Sequence, residues 1–340
     1  MANYADTALL DALAYFTDPA NAKEFRTPEY GAMQAYLDYA NIMLPDLASI
    51  KEGESQAERI RYFKRSQGTV GSSRTVSLTG KYGDTSYITP TWYTRTREFS
   101  ISVKQAENNQ ESAARIMAHQ LKNTVIDLYD AIETLAIAQL DANKTTSEGN
   151  RSGLGSWDSS KYVMKIANAN KDNYFNYIKT DMVNDKWHGL LQAINTGNIN
   201  AVIAEQTAQG PGNSSNLQFQ YPGFEFYTCT DASGSDYMAS DYFGLSYIVE
   251  QGSIALVPWI PQANRVGTVA GSYSWSSIPD PFGKLGQLAV FKYSTASGTS
   301  SSGGTAQDAV YIYEVSVDVS FLHVPLSTGK VVYKYGLSTS

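Results

Sequence analysis

The amino-acid sequence predicts an α+β fold, and three stretches carry that expectation. Residues 108–143 hold an uninterrupted helical pattern. Residues 313–321 alternate strictly between apolar and polar side chains. Residues 69–79 and 91–104 are rich in Thr, Val, Ser and aromatics, and they flank the turn-forming Gly80-Lys81-Tyr82-Gly83-Asp84. A period near 3.6 in one segment and of two in others requires helix and sheet in the same chain.

Taken in order, residues 7–16 and 30–43 place Leu, Tyr, Phe or Met at helical intervals, with breaks at Pro19, Pro28 and Pro45. They are expected to form an N-terminal arm, residues 1–66, or else a bundle belonging to the main core. Residues 67–106 follow as a long hairpin. On its return strand Arg95, Arg97, Phe99, Ile101 and Val103 share one face, and Thr94, Thr96, Glu98, Ser100 and Ser102 share the other. A two-stranded ribbon buries too little to be stable alone, so its distal half needs a partner surface.

The helix of residues 108–143 starts at Asn108-Asn109-Gln110-Glu111, an acceptor side chain followed three residues later by Glu, which satisfies free amide donors as a capping box. Leu121, Val125, Leu128, Ile132 and Leu135 form its apolar stripe, and Ile126, Tyr129, Ile137 and Leu140 widen it. At about 1.5 Å per residue it runs on the order of 50 Å. A second helical pattern follows at 173–188. Residues 186–307 then read as mixed α/β, with short strands at 201–204, 224–229, 245–249, 254–260 and 288–293 and a low-complexity loop at 294–307. Residues 308–340 close the chain. In them Tyr313, Val315, Val317, Val319 and Phe321 alternate with Glu314, Ser316, Asp318 and Ser320, a strand with one buried face, and residues 331–335 add a short strand. The long helix is expected to cover the sheet that holds this strand.

Composition bounds the function. With 340 residues, 42% of them hydrophobic and 17% charged, the chain has material for two modest cores. The 26 Gly and 24 Tyr point to loops and interfaces. No run reaches the roughly 20 apolar residues of a membrane helix, and no basic-then-apolar leader opens the chain, so a cytoplasmic site of synthesis is expected. The single Cys229 forms no internal disulfide and reads as a buried thiol.

Charge is distributed unevenly. Arg59, Arg61, Lys64, Arg65, Arg74, Lys81, Arg95, Arg97 and Lys104 outweigh Asp84 and Glu98, leaving residues 59–104 at about +7 within a chain of net charge −7. On the long helix Asp127, Asp130 and Glu133 are spaced by three, and no Lys or Arg falls between Asn123 and Asn143. Carboxylates toward a helix C-terminus oppose the macrodipole, so a basic neighbour relieves them. Arg74, Lys81, Arg95 and Arg97 of one subunit are therefore expected to meet Asp127, Asp130 and Glu133 of the next. The alternative is a solvated acidic face.

Catalytic motifs are absent from the sequence: there is no G-x-S-x-G elbow, phosphate loop, H-E-x-x-H, calcium loop or Cys cluster. His119, His188 and His323 stand apart from one another, so each reads as a packed or surface side chain. No catalytic residue, cofactor or metal is expected. The acidic balance disfavours nucleic acid as a specific ligand.

The order of arm, basic ribbon, long helix, mixed middle and closing strand, together with Gly252-Ser253-Ile254-Ala255-Leu256-Val257-Pro258-Trp259-Ile260-Pro261 and Asn264-Arg265, resembles the major capsid proteins of tailed bacteriophages, whose fold is shared with herpesviruses. The resemblance implies an N-arm (1–66), an E-loop hairpin (67–106), a P-domain with its spine helix (107–185), an A-domain (186–307) and a C-terminal P-domain strand and tail (308–340). It implies a virion protein, assembled in the host bacterial cytoplasm, that forms the hexamers and pentamers of an icosahedral head around double-stranded DNA, which it touches weakly. It also implies partners: copies of itself, a portal, a decoration protein and, because little room precedes the helix for a built-in one, a separate scaffolding protein. Some relatives crosslink an E-loop Lys to an Asn of an adjacent subunit. Lys81 matches by location, and an ordinary solvated lysine is the reading adopted. The competing readings are another virion component, such as a tail or decoration protein, and a carbohydrate-binding or glycan-active β-rich protein.

Overall fold

The computed structural model describes residues 9–14, 49–50, 59–63, 85–102, 113–149, 155–185, 187, 190–196, 199, 223–229, 241–259, 273–281, 285–295, 310–323 and 332–339. The expected helix at 30–43, the outgoing strand at 69–79 with its turn at 80–84, the strand at 201–204, and residues 296–307 of the polar loop lie outside these residues.

In chain order the strands are β1 (Ser49–Ile50), β2 (Ile60–Phe63), β3 (Thr85–Ile88), β4 (Tyr93–Ser102), β5 (Ser156–Asp158), β6 (Val163–Ile166), β7 (Leu191–Thr196), β8 (Phe224–Cys229), β9 (Tyr242–Glu250), β10 (Ile254–Trp259), β11 (Tyr273–Pro279), β12 (Gln287–Thr295), β13 (Val310–His323) and β14 (Tyr333–Ser338). Among the described residues the long helices are α1 (Ala113–Ala142) and α2 (Tyr174–Asn184), beside a helical segment at 9–14 and a 3-10 helix at Asn168–Asn173. A first sheet runs β1-β10-β13-β12-β11 with β4 on the free edge of β13, and a second runs β5-β6-β14-β9-β7-β8. Strands β2 and β3 form a separate pair.

The closing strand read at 313–321 is the axis of the first sheet. Its residues 310–316 have β4 on one edge and β12 on the other, both antiparallel, and residues 318–323 pair with β10. Cross-strand partners share a face, so Tyr313, Val315 and Val317 line up with Phe99, Arg97 and Arg95 of β4. That face receives α1, and Phe99, Ile101, Tyr313, Val315, Val317, Val319 and Phe321 join Leu121, Val125, Leu128 and Ile132 of the helix in one core. Phe99 stacks on Tyr313 with ring centroids 5.0 Å apart. The opposite face corrects the expectation of a one-sided sheet: Ser316, Asp318 and Ser320 are also buried. Asp318 is accommodated there by the Thr94 hydroxyl, which donates to its Oδ1 at 2.7 Å. A strict apolar-polar alternation identifies one buried face and does not report whether the polar face is covered as well.

Helix α1 is buried on more sides than a single stripe requires. Met117, Ala118, Leu121, Thr124, Val125, Ile126, Leu128, Tyr129, Ile132, Leu135, Ala136 and Leu140 are all buried, and Asn123, Asp127, Thr134 and Ala138 are exposed. The cause is the second sheet, whose Val163, Ile194, Tyr227, Tyr242, Leu245, Tyr247 and Val249 enter the same core. The second sheet turns its other face to α2, where Phe175, Ile178 and Met182 pack with Met164, Ile166, Ile248, Tyr333, Tyr335 and Leu337. The hydroxyl of Tyr335 donates to Asp181 Oδ2 at 3.1 Å, and that of Tyr333 donates to Asp185.

The C-terminal end of α1 is fastened to the second sheet by charge. Lys334 on β14 donates to Asp141 Oδ1 at 2.8 Å, Lys144 donates to Asp141 Oδ2 at 2.5 Å, and the Tyr247 hydroxyl donates to Oδ1 at 3.1 Å. The Lys334 side chain is 0% exposed and the Asp141 side chain 30%. Burial raises the Asp141 carboxyl, but hydrogen bonds and positive charge from Lys144 and Lys334 outweigh it and hold the group below the usual carboxylate range.

Candidate intersubunit surface

Strand β4 and helix α1 run side by side in opposite directions. Gln139 Nε2 donates to the Tyr93 hydroxyl at 3.0 Å, and two residues along β4 the Arg95 Nε donates to the Ala131 carbonyl at 3.3 Å. One face of β4 thus changes character along its length. Phe99 and Ile101 are buried under the helix, Arg95 is half-buried at its flank, and Arg97 is exposed.

The two arginines differ in their surroundings. Arg95 also donates to its neighbour's carbonyl at Thr94, 3.1 Å away, and its guanidinium carbon stands 6.0 Å from the Tyr93 ring centroid. Arg97 reaches the Thr96 carbonyl at 3.5 Å. Because Arg95 already serves α1 within its own chain, Arg97 is the more available cation. Arg74 and Lys81 lie outside the described residues.

The helix carboxylates do not form the single exposed flank read from their spacing. A step of three residues turns about 300° around a helix, so each successive carboxylate lags by about 60°. Asp127 is accordingly exposed, Asp130 half-buried, and Glu133 only 2% exposed. The surface offered by β4 and α1 therefore consists of Arg97, Asp127 and the outer part of Asp130. Its burial, which sequence spacing does not report, removes Glu133 from it.

The other side of β4 carries a charged feature that local sequence does not announce. Glu98 and Glu314 are direct cross-strand partners, and like charges so placed repel. Burial pushes the Glu314 carboxyl up, and the Glu98 charge adds to the shift. The Tyr293 hydroxyl beside them is raised by burial and then by the charges of Glu98 and Glu314. Only the pairing register brings these groups together.

Among the described residues no group of three or more His, Cys, Asp or Glu could hold a metal ion, and no helix is long and apolar enough to cross a membrane. His119 sits on α1 and His323 ends β13.

No protein-family model matches the chain, and no curated protein matches it. Solved structures do. The capsid asymmetric unit of cyanophage A-1(L) is 12% identical, with 88% of this chain and 92% of that chain covered at a TM-score of 0.53. The capsid of a native GTA particle is 10% identical over 88% of this chain and 90% of that one, at a TM-score of 0.48. A Mycobacterium phage Che8 structure is 10% identical over 85% and 89%, at 0.47. With the likeness to the cyanophage A-1(L) capsid extending over nearly all of both chains, this chain has a phage capsid fold.

Proposed function

We propose that this chain is a major capsid protein that assembles into the hexamers and pentamers of an icosahedral phage head enclosing double-stranded DNA. The observation that carries the reading is the fold shared with the cyanophage A-1(L) capsid over 88% of this chain. In this reading residues 1–66 are the arm, 67–106 the E-loop, α1 the spine helix, and residues 186–307 contribute the A-domain. Copies of the chain are the principal partners. A separate scaffolding protein, a portal and a decoration protein complete the shell, and DNA is touched without sequence specificity. The protein is built in the host cytoplasm and resides in the virion. It performs no catalysis; its working parts are contacts between copies.

The β4–α1 surface supplies one of these contacts, with Arg97 of one copy against Asp127 and Asp130 of another. Electron microscopy and sedimentation of the purified protein, alone and co-expressed with a scaffolding protein, test the assembly. Closed shells, tubes or capsomers are expected. A chain that stays monomeric in both settings overturns the reading. Arg97→Glu tests the contact: assembly is expected to weaken while the melting temperature holds, and undiminished assembly removes this surface from the interface.

A further inference from the structure

Strand β11 is the outer strand of the first sheet among the described residues, paired with β12 over its full length from Tyr273↔Tyr293 to Pro279↔Gln287. The direction of its backbone groups follows from one hydrogen bond. The Asp280 N–H donates to the Gly286 carbonyl at 2.9 Å, one step beyond the Pro279↔Gln287 pair. Hydrogen-bonded and non-hydrogen-bonded pairs alternate in an antiparallel ladder. Ser274, Ser276 and Ile278 therefore point their N–H and C=O groups at β12, and Tyr273, Trp275, Ser277 and Pro279 point theirs away. Proline falls on an outward position, where its missing N–H costs the ladder nothing. The N–H groups of Tyr273, Trp275 and Ser277 are left facing outward.

Natural edges of this kind are usually guarded by charge, by a bulge or by a covering element. Among the described residues none of these guards β11. No charged residue occurs between Val266 and Pro279. The register with β12 runs without a shift. Ser274, Trp275, Ser276 and Ser277 are all exposed, Trp275 at 40%, so both faces of the strand are open beyond the buried Ile278. A two-stranded ribbon exposed on both faces is marginal by itself.

We propose that β11 pairs antiparallel with β11 of a second copy about a two-fold axis, joining two sheets into one. The strand is suited to its own copy. Neither copy brings a charge to repel the other, and with Trp275 on the axis every outward group meets an outward group: Trp275 exchanges both bonds with Trp275, and Tyr273 with Ser277. The two indoles then lie on the same face as a cross-strand aromatic pair, which covers the part of each that is now exposed. The pairing deepens the assembly reading and rests on self-association of the chain.

Ser277→Pro removes one outward N–H and leaves every β12 bond in place, and Trp275→Lys sets two like charges at the axis. Ser276→Pro, which removes a bond to β12, is the control for damage to the sheet itself. The assay is sedimentation of the full chain at several concentrations, with thermal melts and electron microscopy of the same samples. Ser277→Pro and Trp275→Lys are expected to melt within a few degrees of the parent and to associate at least about tenfold more weakly, a loss of about 1.4 kcal/mol; Ser276→Pro is expected to melt lower. Parent-like association in both edge variants overturns the pairing, and if the parent then still forms shells the capsid reading stands without it. A β11-dependent dimer that forms no shell even with scaffold supports the pairing and overturns the capsid reading. A parent that never associates overturns both.

Discussion

Replacing Asp141 by Asn should damage the protein more than replacing Lys334 by Met, although the two side chains form one ion pair. In Asp141→Asn the Lys334 ammonium, 0% exposed, faces a neutral amide where a carboxylate oxygen stood 2.8 Å away. Breaking a fully buried pair in this way costs about 3–5 kcal/mol. Because Asp141 is 30% exposed, solvent already screens part of the attraction, and about 2–3 kcal/mol is the expected loss. In Lys334→Met the buried cation disappears together with its desolvation cost, the methionine fills much of the same volume, and Asp141 keeps Lys144 at 2.5 Å. The expected loss is about 1 kcal/mol or less. The double variant should recover most of the Asp141→Asn loss. Urea unfolding of the unassembled chain measures all three. The pH dependence has a definite sign: a carboxyl held below its unfolded value contributes stability that is present above about pH 4 and lost as pH falls through the lower folded value. The parent should therefore approach Asp141→Asn in stability as the solution is acidified through that window. Equal losses in the two single variants, or a double variant no better than Asp141→Asn, would refute the account of a buried cation held by its carboxylate.

Three further outcomes are expected. Gly336→Ala should lose about 1–3 kcal/mol or more in the same urea assay, because an added Cβ would meet Tyr242 Cδ1 at 2.6 Å and Val163 Cγ1 at 3.1 Å; an unchanged midpoint would mean that the second sheet yields there without cost. Tyr335→Phe should lose about 1–3 kcal/mol, since it takes the hydroxyl from the buried Asp181 carboxylate, and a neutral result would show that Asp181 is satisfied by its other surroundings. Glu314→Gln should stabilise the chain by a few tenths of a kcal/mol at neutral pH. Its carboxyl is raised by burial and then by Glu98, so the parent's stability is greatest below the unfolded carboxylate value and falls as pH rises through the folded one; the gain in Glu314→Gln should vanish below about pH 4, and a gain that persists there would come from something other than charge.

Much of the scaffold was legible because it is written in local periodicity. The helix stripe from Leu121 to Leu135, the alternation at 313–321 and the apolar runs of β8, β9, β10 and β12 each report their own element. Strand β11 was missed because Tyr-Ser-Trp-Ser-Ser-Ile-Pro has the serine content of a loop, and β7 because Leu-Gln-Ala-Ile-Asn-Thr offers no clean alternation. Each is a strand because of its partners, β12 for β11 and β8 and β9 for β7. The candidate surface was legible as charge but not as geometry. The sequence contains Arg95, Arg97, Asp127, Asp130 and Glu133, yet nothing local says that Arg95 is engaged at the Ala131 carbonyl or that Glu133 is buried.

The division is one of range. By itself the sequence determined that the chain is α+β, where its long helix and longest strand lie, and that basic and acidic segments are separated along it. Those are properties of neighbours along the chain, where side-chain period and charge count suffice. Only the tertiary structure decided that β10, β12 and β4 share a sheet with β13 while the terminal β14 joins the other, that Glu98 faces Glu314, and that Lys334 closes on Asp141. Each of these joins residues far apart in sequence. Which pairs meet is set by how two sheets and one helix together exclude water, a condition on the whole chain that no single segment expresses.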